Sequence, residues 1–223
     1  MLDSVRTGEA VFQKVRGVPF FDYLASNPEA NARFNQGMAN VSSVENSAVA
    51  GVYDFGSFRN IVDVGGGKGG LIAEILKAYP SARGVLFDLP QVVANPDYIT
   101  KAAVQDRCEI APGDFFEAVP RGANAYVLKR VIHDWNDQRC QTILRRCRDA
   151  VAEGGRVIVV EAVVPAGNEP HLSKISDLLM LVLGGGQERT EKEFRQLFES
   201  SGLKLSRIIP TPSMMSIIEG ERA

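Results

Sequence analysis

The chain has 223 residues, of which 45% are hydrophobic and 23% charged, and a formal net charge of −2. That length supports one good core, and the scattered Lys and Arg exclude the basic stripe that nucleic acid or an anionic membrane requires. No apolar run reaches the length of a membrane span, "MLDSVRTGEAVFQK" lacks a signal-peptide core, and the three cysteines form no CxxC pair, all as expected of a cytoplasmic enzyme.

Residues 1–58 read as a helical lead-in segment punctuated by Pro19, Pro28 and Gly51. Strand and helix signals then alternate. "NIVDV" is a short buried strand, and "LIAEILKAY" follows with apolar positions at helical spacing, closed by Pro80. "RGVLFDLP", "RCEIAPGD" and "NAYVLKRVI" are the next three strands. The helix "DQRCQTILRRCRDAVAEGG" puts Cys140, Ile143, Leu144, Cys147 and Val151 on one face and stops at Gly154 and Gly155. "RVIVVEAVV" is an almost unbroken β-branched run, as expected of a strand covered on both faces. Only "TP" separates "LKLSRIIP" from "SMMSIIEG", too short for a parallel crossover, so these strands form an antiparallel hairpin. The expected fold is α/β, a doubly wound, mostly parallel seven-stranded sheet with a C-terminal antiparallel hairpin.

The stretch "NIVDVGGGKGG" invites a ligand to approach bare backbone, and the question is which one. Gly65, Gly67 and Gly70 satisfy GxGxxG, and Asp88 lies about twenty residues beyond, which matches a dinucleotide fingerprint. A phosphate loop of the Walker type fails, because Lys68 is followed by Gly69 and position 62 is Val. Ligands of open α/β sheets bind outside the carboxyl ends of the strands. Five consecutive strands deliver Asp63, Asp88, Asp114, His133 with Asp134, and Glu161 to that rim.

The ordered motifs "DVGGGKGG", "FDLPQVV", "APGDFF", "LKRVIHDWND", "EGGRVIVVEAVVP" and "GGQERTEKEF" carry a resemblance. Together they resemble the S-adenosylmethionine-dependent O-methyltransferases that include plant caffeate-type enzymes and bacterial enzymes tailoring polyketides and other natural products. The resemblance implies a Rossmann-like class I methyltransferase domain over residues 59–223 and S-adenosyl-L-methionine as the methyl donor. It implies that Gly65 and Gly67 approach the donor's amino-acid end, Asp88 takes the ribose hydroxyls, Asp114 and Phe115 hold the adenine, and Lys129 contacts the donor. His133 aligns with the family's general base, flanked by Glu161 and Glu188. No metal is implied. The acceptor is a hydroxyl of a small aromatic or polyketide-like molecule.

Other residues on these motifs have plainer readings. Phe116 and Met180 are assigned to the core, Lys68 and His171 to solvent, and Asp134 to loop orientation or capping of the following helix. Family members carry an N-terminal domain that makes an intertwined dimer, and this chain is expected to begin after it, which leaves a homodimer in question. Two other functions stay open at this point: a donor-binding module of low activity, and a nicotinamide oxidoreductase resting on GxGxxG and Asp88.

Overall fold

The computed structural model describes residues 1–223, apart from the side chains of Phe21 and Asn35. The chain begins with α1 (Leu2–Thr7), α2 (Phe12–Arg16), α3 (Phe20–Ser26) and the long α4 (Pro28–Val52). The alternating part runs β1 (Asn60–Val64), α5 (Gly70–Ala78), β2 (Arg83–Asp88), α6 (Pro90–Val93), α7 (Asp97–Lys101), β3 (Cys108–Pro112), β4 (Ala125–Lys129), α8 (Asp137–Ala150) and β5 (Arg156–Val164). It closes with α9 (Leu172–Leu183), β6 (Arg189–Thr190), α10 (Glu191–Ser200), β7 (Leu203–Pro210) and β8 (Met215–Arg222).

The main sheet has the order β3-β2-β1-β4-β5-β8-β7. Strands β1 to β5 are parallel, and the β7–β8 hairpin is antiparallel, with β8 lying against β5. The expected seven strands are therefore present. The two-residue β6 is an addition, pairing with the end of β5. Strand order reverses between β1 and β4, and that switch point is where a ligand crevice opens.

Period-two alternation sorts the strand residues between two cores. Val127, Ile158 and Val160 pack with α5 and the end of α4, and Tyr126, Leu128, Val157 and Val159 pack with α8 and α10. The predicted face of α8 is buried as expected at Cys140, Ile143, Leu144 and Cys147. Two boundaries fall earlier than predicted. Strand β4 stops at Lys129 because Arg130 turns into the left-handed region at φ 55°. Helix α8 stops at Ala150 because Val151 is extended and sends its side chain into the core. The last turns of α4 are part of that core too, through Val49 and Ala50.

Candidate active site

The glycine loop leaves β1 with positive φ at Gly65, Gly67 and Gly69. A Cβ on Gly65 would come within 2.7 Å of Val131, and one on Gly66 within 2.6 Å of Asp63, so side chains are excluded where the loop crosses the sheet. At Gly67 nothing lies within 4 Å, and its backbone faces open space. The Gly67 amide donates to Asp88 Oδ2 at 2.9 Å, and the Leu89 amide donates to Oδ1 at 2.7 Å. Asp88 is thereby fixed at the loop and keeps lone pairs for further donors.

Asp114 is exposed and accepts the Phe116 amide at 2.8 Å, which shapes its turn. The Phe115 ring lies against the loop, near Gly65. Phe116 packs against the core as assigned, at its edge: it is half-buried, 4.9 Å from the Trp135 ring, with the Arg139 guanidinium 4.5 Å from its centre. The Arg139 guanidinium covers both rings on the outer side of the core, 4.5 and 4.6 Å from their centres.

A cleft of about 580 Å³ opens beside the loop. Its floor includes Asp63 and Gly65 to Gly67, and its far wall is α4, with Ser42, Ser43 and Asn46. Asp88, Asp114 and Phe115 ring the loop outside that lining. Burial pushes the Asp63 carboxyl up to about 7, against the pull of Lys129 and of the Ile72 amide. Asn46 is 6% exposed, and its Oδ1 has no hydrogen-bond partner. Lys129 lines the cleft as expected of a ligand contact, its Nζ 3.2 Å from Ser42 Oγ and 3.3 Å from Glu45 Oε2. Lys68 also lines it and is exposed as assigned, with a surface pairing to Asp97 at 3.4 Å.

The second half of the rim is closed. Glu161 is completely buried, and its Oε1 accepts the amides of Val131, Ile132 and His133 at 2.9, 2.8 and 3.2 Å. This one acid therefore shapes the loop that carries His133. The His133 Nδ1 lies 3.4 Å from Glu161 Oε2 and 3.4 Å from Glu188 Oε1, and Nε2 lies 3.5 Å from Asp134 Oδ1. Glu188 is buried and receives the Ser176 hydroxyl at 2.7 Å. Burial disfavours the imidazolium, but Glu161, then Glu188 and Asp134, outweigh it and raise His133 to about 9. Asp134 does more than orient a loop, since it faces Nε2, and the N-cap of α8 is Asn136. His133, Glu161 and Glu188 present ligand atoms within 4.8 Å of one another, a spacing that also suits a cation. Glu161 Oε1 is already committed to three amides, while Glu161 Oε2 and Glu188 Oε2 have no hydrogen bond.

Arg189, absent from the sequence reading, is buried and clamps the same loop from its outer side. It donates to the Ile132 and Trp135 carbonyls at 3.1 and 2.9 Å and pairs with Asp137 at 2.7 Å. The Gln187 amide donates to the His133 carbonyl at 2.9 Å, and Gly186 has no room for a Cβ against that oxygen. The Thr190–Glu193 capping box at the start of α10 anchors the segment, and its T-x-x-E signature is visible in the sequence.

A profile of the O-methyltransferase domain family matches residues 1–204. The chain is 46% identical over 220 residues to a phenazine O-methyltransferase of Lysobacter antibioticus, covering 98% of this chain and 64% of the relative. It is 42% identical to a mitomycin biosynthesis 6-O-methyltransferase of Streptomyces lavendulae, covering 99% of this chain and 63% of that one. The fold superposes at a TM-score of 0.86 and 34% identity on an O-methyltransferase of neocarzinostatin biosynthesis, solved with S-adenosylmethionine and 2-hydroxy-5-methyl naphthoic acid, covering 100% of this chain and 66% of that one. The chain thus spans a little under two thirds of these relatives, and it belongs to the O-methyltransferase domain family.

Proposed function

We propose that this chain is the catalytic part of an S-adenosylmethionine-dependent O-methyltransferase that methylates a hydroxyl of a small aromatic or polyketide-like acceptor. The observation that carries the reading is His133, three residues beyond Arg130 of the cleft lining, with Nδ1 facing two buried carboxylates and Nε2 facing Asp134. The residues present suit the donor. The loop excludes side chains at Gly65 and Gly66 yet is open at Gly67, Asp88 has spare acceptor capacity for a diol, and Asn46 has an unpartnered amide oxygen. Gly65, Gly67, Asp88, Asp114, Phe115 and Lys129 are assigned to hold it.

When bound, S-adenosylmethionine supplies an electrophilic methyl group on a sulfonium. His133 takes the acceptor's hydroxyl proton at Nε2, and the oxygen so freed accepts the methyl. Glu161 and Glu188 keep the Nδ1 proton in place and support the imidazolium. A positioned base of this kind contributes roughly 10²–10⁴-fold, and alignment of the reacting groups about 7–11 kcal/mol, so holding both ligands is the larger task.

The test is calorimetric titration with S-adenosylmethionine, S-adenosylhomocysteine and NADH, followed by turnover on a panel of phenols. Adenosyl binding without NADH binding, with methyl ether formed, is the expected result. NADH binding alone would return the loop to a nicotinamide cofactor.

A further inference from the structure

Lys129 and Arg130 both line the cleft that the reading above gives to the methyl donor. Two cations in that wall are an unlikely welcome for a sulfonium. Behind them, outside the lining, stands Glu45 of α4, 3% exposed. It receives Arg130 through two hydrogen bonds, Nε to Oε2 at 2.9 Å and Nη2 to Oε1 at 2.6 Å, and Lys129 at 3.3 Å. The fork of a guanidinium on a carboxylate is the strongest arrangement available to such a pair. Burial alone would push the Glu45 carboxyl up, but Arg130 and Lys129 hold it below its ordinary range, so it stays charged. Of the other charges lining the cleft, Lys68 pairs with Asp97 and Glu74 with Lys77, and Lys101 lies over the Tyr98 ring. Glu45 is the acid in contact with both cations, while buried Asp63 attracts Lys129 and buried Glu161 and Glu188 attract Arg130 at longer range.

This inference rests on the methyl-donor reading and adds a residue to it. We propose that Glu45 is a specificity-determining positioning residue: by neutralising Lys129 and Arg130 it lets the cleft hold a cationic sulfonium in preference to the neutral thioether left after transfer. The two ligands share an amino-acid end and an adenosine and differ by one methyl and one positive charge. Any packing defect weakens both alike, whereas a change in the charge of the wall separates them.

The experiment is calorimetric binding of S-adenosylmethionine and S-adenosylhomocysteine to the full chain and to Glu45→Gln. Loss of a poorly screened charge within about 10 Å of a cation, at an effective dielectric of about 20, changes affinity about tenfold. The donor is therefore expected to weaken by about tenfold relative to the product. Adding Lys129→Met to Glu45→Gln removes one cation with the acid and should bring the donor-to-product ratio back toward the wild type. Should Glu45→Gln not fold, Lys129→Met alone must move the ratio the other way, toward the donor. Equal weakening of both ligands, or an unchanged ratio in either variant, overturns the role of Glu45 while leaving the methyl-donor reading standing. A wild-type chain that binds neither adenosyl ligand overturns both.

Discussion

The two halves of the rim are built on opposite plans. Around His133 the polar groups are buried and most are matched within the protein: Glu161 Oε1 to three amides, Glu188 Oε1 to Ser176, Arg189 to two carbonyls and Asp137, while the second oxygen of each glutamate lacks a hydrogen bond. Around the glycine loop the groups are half-buried or exposed and keep capacity to spare, as at Asp88, Asp114 and the open backbone of Gly67. A general base must be preorganised before the acceptor arrives, because its orientation is part of the barrier. A ligand-binding surface must leave hydrogen-bonding positions for the ligand to complete. Damage to the first half should thus fall on turnover and stability, and damage to the second on donor affinity.

His133→Ala gives the sharpest contrast: turnover should fall by roughly 10²–10⁴-fold, with the dissociation constant for the donor unchanged by calorimetry. Equal loss of both would erase the division between the halves. Next comes Glu161→Ala, which leaves three buried amides without their acceptor and removes one of the two carboxylates facing His133 Nδ1. Urea unfolding should show a loss of about 3–5 kcal/mol, as for other broken buried ion pairs, and Glu161→Gln, which still offers an oxygen to the amides, should lose less. On the open side, Asp88→Ala should weaken donor binding by about 1.5–3 kcal/mol, the scale of hydrogen bonds to a charged group, with the unfolding midpoint little moved.

The smallest effect is in pH. Because His133 is raised to about 9, kcat/KM should climb through neutral pH and level off near that value, and Asp134→Asn, removing one of the three acids responsible, should move the break down by less than about one unit. The stability contributed by the cluster runs the opposite way with pH. It is complete below the ordinary histidine value of 6.5 and is lost as pH rises through about 9. A rate profile flat between those values would mean that His133 is not the base.

Legibility divided along similar lines. Glu161 stood out because an acid inside "VIVVEAVV" needs a partner, and His133 because it follows a strand at the binding rim. Glu188 carried no such signal on its own and was assigned by resemblance. Its burial comes from the fold of residues 186–189 across the His133 loop. Arg189, inside "GGQERT", carries no sequence signal of its burial. Glu45 and Asn46 sit in "NVSSVENSAV" at the helical spacing that continues to Val49 and Ala50, a buried stripe with an acid and an amide in it, and that spacing was the available clue.

What the sequence by itself determined is the local and periodic part: the strands with their two faces, the hairpin forced by a link too short for a parallel crossover, the glycine loop, and the delivery of acids and a histidine to one rim. These follow from interactions among near neighbours and from the fixed geometry of parallel sheets. Only the tertiary structure decided that α4 walls the cleft, that Glu45 reaches Arg130 from 85 positions away, and that Arg189 and Glu161 grip one loop from two sides. Such pairs depend on how helices settle on the sheet, which is set by the packing of whole surfaces and not by the spacing of residues along the chain.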